Sequence, residues 1–357
     1  MALDLYSASA VTAENLTWLL REQGVLREAK ITRVTHSPIG HGLLADSVRF
    51  AIEYDRPVEA APASLAGKFP SSDPSARASS GDLSIYATEV TFYREIAPFT
   101  AARVPLPYYA QINRATNEFG LLMEDLAPAR QADQITGASK ADAFSALEQA
   151  AALHGPYWNS DRVQASEWLD GTADRLSVIR KLPAIMALFH ERYDEILEPE
   201  YMRICDQYIA KADKFLLRKP ESVTVAHTDY RLDNMMFNVR GGASKLAVLD
   251  WQTVSRDHGA LDVAYFLGFN IPVGLRRQSE KEFLAFYLEE LRKYGVVDCT
   301  ADELWREYRI GAHFGVFCAI AASIIAKRTE RSDQLFMAIA RRSCTQMMDL
   351  ETLSAVA

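Results

Sequence analysis

The first third of the chain alternates apolar and polar residues in short segments, a pattern typical of β-strands. Residues 47–54 place Val48, Phe50 and Ile52 on one face and predict a half-buried strand. Shorter apolar runs predict further strands at residues 31–34, 65–69 and 121–123. Apolar residues at helical spacing predict two helices in this part, at residues 13–23 and 83–96. This part of the chain is therefore expected to be small and strand-rich.

Helical spacing dominates from residue 139 onward. Three pairs of residues have the spacing of a capping box and predict helix starts: Ser139 with Asp142, Ser279 with Glu282, and Thr300 with Glu303. A last helix is predicted over residues 331–350. The change from strands to helices falls within residues 127–138, so we expect two domains, residues 1–126 and residues 127–357.

The composition is that of a soluble globular protein. The chain has 357 residues, of which 49% are hydrophobic, and a formal net charge of −8. This charge argues against a nucleic-acid-binding protein, which would carry a basic face. The four cysteines form no C-x-x-C pair, so no zinc site is expected, and scattered thiols fit a reducing, cytoplasmic compartment.

Neither a targeting segment nor a membrane span is expected. Residues 1–5 lack the basic region of a signal peptide. The longest apolar run, residues 311–326, is shorter than the ~20 residues that a spanning helix needs. We expect a buried core helix there instead.

Two short segments, residues 227–234 and 249–252, carry the residue types that phosphoryl transfer uses. Each follows an apolar run that predicts a buried strand, so Asp229 and Asp250 are expected at strand ends, with Asn234 in the loop between them. Asp229 can accept the proton of an attacking hydroxyl group, while Asn234 and Asp250 offer the oxygen ligands that Mg²⁺ prefers. We therefore expect these side chains to line one pocket.

A lysine and a glutamate lie in apolar surroundings of the strand-rich part. Lys68 is inside the predicted strand 65–69, and Glu89 falls on the apolar face of the predicted helix 83–96. Burying either charge alone is expensive, so a pair is expected. Such a pair positions the α- and β-phosphates of a nucleotide in kinases. A purely structural salt bridge, or a lysine that reaches solvent with its tip, is the alternative.

Two further segments are candidates for nucleotide contacts. Gly40 and Gly42 form a glycine turn followed by a strand, which suits the phosphate-covering loop of kinases but equally an ordinary hairpin turn. The backbone of Met123, Glu124 and Leu126 lies where the strand-rich part ends and can pair with an adenine edge. We expect the side chains of Glu124 and its neighbour Asp125 to be solvated.

The order of these motifs resembles the aminoglycoside phosphotransferase and choline kinase group, and most closely its ecdysteroid-kinase-like branch. The resemblance covers the chain from about residue 31 to the last helix. It implies an α+β, bilobal protein-kinase-like fold, with a small antiparallel-sheet N-lobe that holds one key helix and a larger, mainly helical C-lobe. It also implies that ATP and Mg²⁺ are used, with Asp229 as the catalytic acid/base, Asn234 and Asp250 as metal ligands, and Lys68 as the phosphate-positioning residue.

The sequence departs from this group in the glycine loop and in the catalytic loop. Ala45 replaces the third glycine, and Thr228 stands where many members have glycine. No arginine precedes Asp229, Asp262 follows Asp250 by only 12 positions, and no Ala-Pro-Glu sequence follows. The segment between Asp250 and Asp262 is too short to form the peptide-docking activation loop of a protein kinase.

We therefore predict an ATP- and Mg²⁺-dependent O-phosphotransferase that acts on a hydroxyl group of a small molecule. The alternative is a pseudokinase that binds a nucleotide or metabolite without phosphoryl transfer. The acceptor class stays open between aminoglycosides, choline-like compounds, steroids and hydroxyacyl compounds.

For several residues near these motifs, the sequence indicates a role less specifically. We expect His227 to brace the catalytic loop through backbone hydrogen bonds, and Asp233 to be a solvated loop acid. Arg231 either neutralises transferred charge or lies on the surface. By the resemblance, Asp262 supports the catalytic loop. Aromatic residues of the helical part line either the core or the acceptor pocket: Tyr157, Trp158, Trp168, Tyr265 and Phe269.

Overall fold

The computed structural model describes residues 3–40, 44–59, 61–73, 77, 84–326 and 328–356. The chain divides into two structural units, and five antiparallel strands form the sheet of the first unit. This unit comprises residues Met1–Phe99, Val104–Ala127 and Asp250–Thr253. The strand order is β1-β2-β3-β5-β4, with bounds β1 Ile31–Pro38, β2 Ala45–Tyr54, β3 Ser64–Pro70, β4 Pro107–Asn113 and β5 Glu118–Glu124. Residues 250–253 join this unit although they lie far beyond the predicted boundary at residues 127–138.

Two α-helices belong to the first unit among its described residues, and both were predicted from the sequence. Helix α1 spans Ala13–Glu22 and starts after Thr12, whose hydroxyl accepts from the amide of Asn15. Helix α2 spans Ile85–Glu95. The predicted ranges, 13–23 and 83–96, agree within two residues. Apolar side chains of α1 and of the sheet form one core cluster that includes Leu16, Leu20, Phe50, Leu65 and Leu122.

The second unit, residues Thr100–Arg103, Pro128–Leu249 and Val254–Ala357, is mainly helical. Its helices are α3 Lys140–His154, α4 Asp161–Ala165, α5 Thr172–Tyr193, α6 Pro199–Ile209, α7 Ala212–Leu216, the one-turn α8 Val239–Gly242, α9 Ala260–Asn270, α10 Val273–Arg292, α11 Ala301–Gly311, α12 His313–Ile325 and α13 Glu330–Asp349. Its strands are β6 Arg130–Gln131, β7 Thr224–Ala226, β8 Met235–Asn238, β9 Ser244–Val248 and β10 Ser255–Asp257. They form the small antiparallel sheets β6-β8-β9 and β7-β10. Every residue of α9 is buried, so this helix lies at the centre of the unit.

The capping signals correctly predicted two of three helix starts. Ser139 accepts a hydrogen bond from the amide of Asp142 at the start of α3, and Thr300 accepts one from the amide of Glu303 at the start of α11. The start predicted at Ser279 is wrong, because α10 begins six residues earlier, at Val273. Pro272 precedes that helix, and Ser279 is buried in its interior. The same spacing of three residues occurs within a helix, so it does not by itself mark a start.

Among the described residues, one helical stretch, Ala301–Ile325, is long and apolar enough to cross a membrane by length and composition alone. It comprises α11 and α12, and 61% of its most apolar window is buried within the protein. The core helix of a soluble protein passes the same test, so this stretch is weak evidence for a membrane span. The core helix expected at residues 311–326 corresponds to α12.

Candidate active site

Lys68 lies at the centre of an ion cluster in the first unit. Its Nζ donates to Oε2 of Glu89 at 2.6 Å and to Oδ1 of Asp250 at 2.8 Å. The lysine is on the central strand β3, paired in register with Ser47 of β2 and Leu121 of β5, and its side chain is 14% exposed. The structure thus brings together Lys68 and Glu89, as the apolar surroundings of both predicted, and adds Asp250 to the pair.

The carboxylates of this cluster shift the pKa of Lys68. Burial alone would lower the pKa of Lys68, but the carboxylates of Asp250 and Glu89 outweigh it and raise this pKa above its ordinary value. Lys68 is therefore a permanent cation. Burial raises the pKa of Glu89, against the opposing effect of Lys68. Both carboxylates contact the same ammonium group, and the side chain of Asp250 is 28% exposed.

The segment that carries Asp250 is anchored to α2 by stacked aromatic rings. Trp251 is fully buried and stacks on Phe92, with ring centroids 3.9 Å apart and an angle of 6° between the planes. Asp250 has a φ of 63°, in the left-handed region that non-glycine residues rarely adopt. The buried stack fixes the backbone on one side of this residue, which explains how an unfavourable backbone conformation is held.

The predicted nucleotide-contact residues of the first unit are only partly described. Gly40 follows β1 with a φ of 68°, and a Cβ atom placed there would meet no neighbour within 4 Å. Gly42 lies outside the described residues. Met123 and Glu124 end β5, where the amide of Glu124 donates to the carbonyl of Leu106 at 2.8 Å. The amide of Leu126 has no hydrogen-bond partner within the described parts of the chain, so it stays available.

The expectation that Glu124 and Asp125 are solvated is wrong, since each is only 7% exposed. Asp125 accepts two hydrogen bonds from the guanidinium group of Arg49, at 2.7 and 3.1 Å, and one from the hydroxyl of Ser64 at 2.7 Å. Burial raises the pKa of Asp125, but these hydrogen bonds outweigh it and leave the pKa below its usual value. Its partners lie 76 and 61 positions away in sequence, so no local pattern indicated them.

In the second unit, the Asp229 carboxylate is held by three different donors. Nδ2 of Asn234 donates to Oδ2 at 2.8 Å, Nε of Arg231 lies 2.9 Å from Oδ1, and the hydroxyl of Tyr265 donates to Oδ1 at 3.2 Å. Asp229 follows β7 and keeps 21% of its side chain exposed. The carboxylate is therefore fixed in orientation and still accessible to a substrate.

Asn234 presents a single free polar atom. Its Nδ2 donates to the backbone carbonyl of Asp229 as well as to the carboxylate, each at 2.8 Å. Its own backbone carbonyl accepts from the amide of Leu249 at 2.9 Å. The side chain is 5% exposed, and its Oδ1 has no hydrogen-bond partner among the described residues. This amide oxygen is available as a hard ligand.

A buried network supports the backbone before Asp229. The amides of His227 and Thr228 donate to the two carboxylate oxygens of Asp262 at 2.6 and 2.9 Å, and His154 contacts the same carboxylate at 3.1 Å. Nε2 of His227 lies 2.9 Å from the carbonyl oxygen of Leu249. Thr228 has a φ of 56°, which explains why glycine suits this position. These contacts keep His227 bound to backbone rather than directed at a substrate.

Arg231 is a bridge between two acids and not a free surface residue. Its NH1 donates to Asp233 at 2.7 Å while its Nε holds Asp229. Burial lowers the pKa of Arg231, but Asp229, Tyr265 and Asp233 outweigh it and raise the pKa above its ordinary value. Asp233 is 36% exposed and ion-paired rather than simply solvated. Sequence reasoning missed the direct bonds from Arg231 and Tyr265 to Asp229, although it singled out both residues.

An aromatic, apolar surface adjoins Tyr265. Its ring packs against Phe269 of the same helix at 4.6 Å and against Phe314 of α12 at 5.4 Å between centroids. Phe314 in turn contacts Phe317 at 5.4 Å, and both phenylalanines are only partly buried. Cys318, also partly buried, interacts with Tyr265. We call Phe314, Phe317 and Cys318 the α12 apolar face.

Comparison with known proteins identifies the family of the chain. The model of the ecdysteroid kinase-like family matches residues 44–295. A search of the curated proteins gave no significant match.

Solved structures of kinases share the fold at low sequence identity. A Ralstonia eutropha protein, provisionally assigned as an aminoglycoside phosphotransferase, is 15% identical with a TM-score of 0.57, over 96% of this chain and 99% of that one. Choline kinase from Cryptosporidium parvum is 12% identical with a TM-score of 0.58, over 95% of each chain. A spectinomycin phosphotransferase in complex with ADP and spectinomycin is 12% identical with a TM-score of 0.50, over 96% of this chain and 99% of that one. The predicted α+β, protein-kinase-like fold is confirmed.

Proposed function

Since the chain belongs to the ecdysteroid kinase-like family, we propose that it transfers the terminal phosphoryl group of ATP to a hydroxyl group of a small molecule, with Mg²⁺ as cofactor. The observation that carries this proposal is the Lys68 cluster. A buried lysine held by a helix glutamate and by the aspartate that follows β9 has the composition of a nucleotide-phosphate site.

Lys68 would bind the phosphates of the nucleotide. An ammonium group has three hydrogens, and Glu89 and Asp250 accept two of them at 2.6 and 2.8 Å. The third is free for a phosphate oxygen. Because the two carboxylates hold Nζ in place and keep it charged, little side-chain freedom is lost when the nucleotide binds.

Asp250 and Asn234 would hold Mg²⁺ together with the phosphates. When bound, the ion would neutralise negative charge on the β- and γ-phosphates. The residue types fit this role, because Asp250 offers a partly exposed carboxylate and Asn234 has an Oδ1 without a hydrogen-bond partner among the described residues. The described parts of the chain contain no group of three His, Cys, Asp or Glu residues that could hold a metal alone.

Asp229 would orient the acceptor hydroxyl and take its proton as the new bond forms. Arg231 offsets the charge of Asp229, which reduces the repulsion between that carboxylate and the incoming phosphoryl group. Tyr265 and Asn234 fix the direction of the carboxylate oxygens. The transition state of phosphoryl transfer is loose, so orientation and charge neutralisation account for most of the acceleration.

The surroundings of Asp229 favour an acceptor with an apolar body over a polycation. The neighbouring acid, Asp233, is already paired with Arg231, so it offers little to several ammonium groups. The α12 apolar face, beside Tyr265, suits a hydrocarbon framework.

An acceptor screen tests the function. We expect the purified protein, with ATP and Mg²⁺, to release ADP faster in the presence of hydroxylated apolar compounds than of aminoglycosides. The isosteric variant Asp229→Asn should lose acceptor-dependent release by about 100-fold or more while binding Mg·ATP with nearly unchanged affinity. Near-wild-type turnover of Asp229→Asn would contradict the assignment of the catalytic residue.

The pseudokinase alternative gives a different result in the same assay. A competent kinase hydrolyses ATP slowly with water as the acceptor, and Asp250→Asn should abolish this background. A protein that binds Mg·ATP with neither background hydrolysis nor acceptor-dependent release would be a pseudokinase.

A further inference from the structure

The first unit contains a cavity of about 520 Å³ that includes none of the candidate active-site residues. The N-terminal segment, α1, the end of α2 and strand β4 form its walls. Five aromatic side chains line it, namely Tyr6, Trp18, Tyr93, Tyr108 and Tyr109. Tyr93, Tyr108 and Tyr109 are buried, whereas Tyr6 and Trp18 are partly exposed, so the cavity is bordered by rings of the core and by rings at the surface.

Hydrogen bonds hold the walls of this aromatic cavity in place. The hydroxyl of Tyr109 donates to the carbonyl of Leu3 at 2.6 Å and accepts from the amide of Leu5 at 3.1 Å. The side-chain amide of Gln23, at the end of α1, donates to the carbonyl of Tyr108. Strand β4 thus fixes both the N-terminal segment and α1. Because the Tyr109 ring and the backbone of these segments are held before any ligand arrives, ordering this wall would cost little entropy on binding.

The lining carries net negative charge. Asp4 and Glu22 contribute two carboxylates, against one guanidinium group from Arg94. Within the described residues, neither carboxylate has an ion-pair partner. Burial raises the pKa of Tyr109 to about 12 and also raises that of Tyr6, and the Asp4 carboxylate adds to both shifts. The Asp4 carboxylate thus places negative charge near two of the five rings.

We propose that this aromatic cavity is a binding site for a small organic cation that carries an alkylated ammonium group. The faces of tyrosine and tryptophan rings attract such cations, and they do so more strongly where water is displaced. Asp4 and Glu22, which belong to the lining, supply negative charge opposite to that of such a cation. A neutral ligand of the same shape would gain binding free energy from contact with the rings but none from the carboxylates.

The site is distinct from the candidate active site but connected to it through α2. Tyr93 follows Glu89 by four residues, so both lie on one face of this helix. A ligand in the cavity would contact the helix whose glutamate holds Lys68.

A pair of isosteric probes tests the proposal in the intact protein. Choline is the cation, and 3,3-dimethylbutan-1-ol is its neutral analogue. The five tryptophans are labelled with 5-fluorotryptophan, and the ¹⁹F resonance of Trp18 is assigned from its absence in Trp18→Leu. Without nucleotide, we expect choline to shift the Trp18 resonance saturably below about 50 mM, a range that covers millimolar affinities. The neutral analogue should shift it clearly less at the same concentration, because it interacts with the rings but not with the carboxylates.

Charge variants sharpen the test. The double variant Asp4→Asn/Glu22→Gln should weaken choline binding about tenfold or more. Glu14→Gln, on the same helix α1 but outside the lining, is the matched control and should bind as the wild type does. No saturable shift of Trp18, an equal shift with the neutral analogue, or unchanged binding by the double variant would each overturn the proposal. A shift confined to Trp251, the neighbour of Asp250, would place choline at the candidate active site and would also overturn it.

Discussion

Oδ1 of Asp250 lies 2.8 Å from Nζ of Lys68, a residue 182 positions earlier in the chain. This contact, together with the stack of Trp251 on Phe92, makes residues 250–253 part of the sheet-containing unit. Asp250 is therefore positioned by residues that no local sequence pattern links to it. The same contact makes Lys68 a structural residue as well as a candidate phosphate ligand.

Removal of the Lys68 ammonium group should destabilise the protein strongly. Lys68→Met leaves Glu89, which is 2% exposed, and Asp250 without their shared cation, and breaking a buried pair in this way costs about 3–5 kcal/mol. Urea unfolding measures the loss. The double variant Lys68→Met/Glu89→Gln should recover part of it, because the buried charge is then removed as well.

An exposed ion pair provides the control for Lys68→Met. Arg33 and Glu53 pair across β1 and β2 at 3.4 Å, with side chains 66% and 64% exposed. Arg33→Met should change the free energy of unfolding by less than about 1 kcal/mol. Comparable losses for Arg33→Met and Lys68→Met would show that the buried cluster does not have the energetic role inferred from its geometry.

Removal of the Tyr265 hydroxyl should slow catalysis without weakening nucleotide binding. Tyr265→Phe deletes the donor to Oδ1 of Asp229, and a hydrogen bond to a charged group contributes about 1.5–3 kcal/mol, which corresponds to roughly a 10- to 150-fold loss in kcat if it is fully expressed in the transition state. The KM for ATP should stay the same. Tyr193→Phe is the matched control, because its hydroxyl donates to the carboxylate of Asp333 at 2.9 Å instead of to Asp229. Equal kcat values for Tyr265→Phe and the wild type would mean that this hydrogen bond does not orient Asp229.

The sequence predicted what local patterns control and missed what distant contacts control. Helix α1 and the starts of α3 and α11 follow from residue spacing and from capping hydroxyls, which act within one turn. The pairing of Lys68 with Glu89 was predictable because an isolated charge in an apolar segment needs a partner. The burial of Asp125 was not, because its partner Arg49 occupies an ordinary alternating position on β2.

In the candidate site, too, the sequence indicated the residues but not the distant contacts that position them. Asp229, Asn234 and Asp250 were selected by residue type and spacing, and their catalytic and metal-binding roles stay predictions. The donors Arg231 and Tyr265 could be noted in the sequence, but not which atoms they hold. Tyr265 is 36 positions from Asp229 and reaches it only through the packing of α9, a helix buried along its whole length.

The stability of the α5–α6 contact should depend on pH through His190. Nδ1 of this histidine lies 2.7 Å from Asp194, and Nε2 lies 2.8 Å from Asp206 on α6. Hydrogen bonds to these carboxylates raise the pKa of His190 above its ordinary value of 6.5. A raised pKa means that the folded state binds the proton more tightly, so the stabilisation is fully present below pH 6.5 and is lost as the pH rises through the folded-state pKa.

Urea unfolding across pH 5.5–8.5 (roughly one unit below to two above the ordinary histidine pKa) measures this dependence. The difference in stability between the wild type and His190→Gln should shrink as the pH rises. A difference that is constant over this range would show that protonation of His190 is not linked to folding.

Alanine should have opposite effects at two helical glycines. Gly268 lies in α9, where a Cβ atom would overlap the side-chain amide of Gln346 on α13. That amide cannot easily move, because its Nε2 donates to the carbonyl of Ala264 at 3.1 Å and to the hydroxyl of Tyr308 at 2.9 Å. Gly268→Ala should therefore cost about 1–3 kcal/mol, although alanine is the better helix former.

Gly274 is the matched control for this steric effect. It lies in the first turn of α10, and a Cβ atom there would meet nothing within 4 Å. Gly274→Ala should be neutral or stabilise the protein by up to about 1 kcal/mol, since alanine restricts the unfolded chain without a clash. Thermal or urea unfolding of both variants decides the matter. If Gly268→Ala were as stable as Gly274→Ala, the close approach of α9 and α13 at Gln346 would be looser than the structure shows.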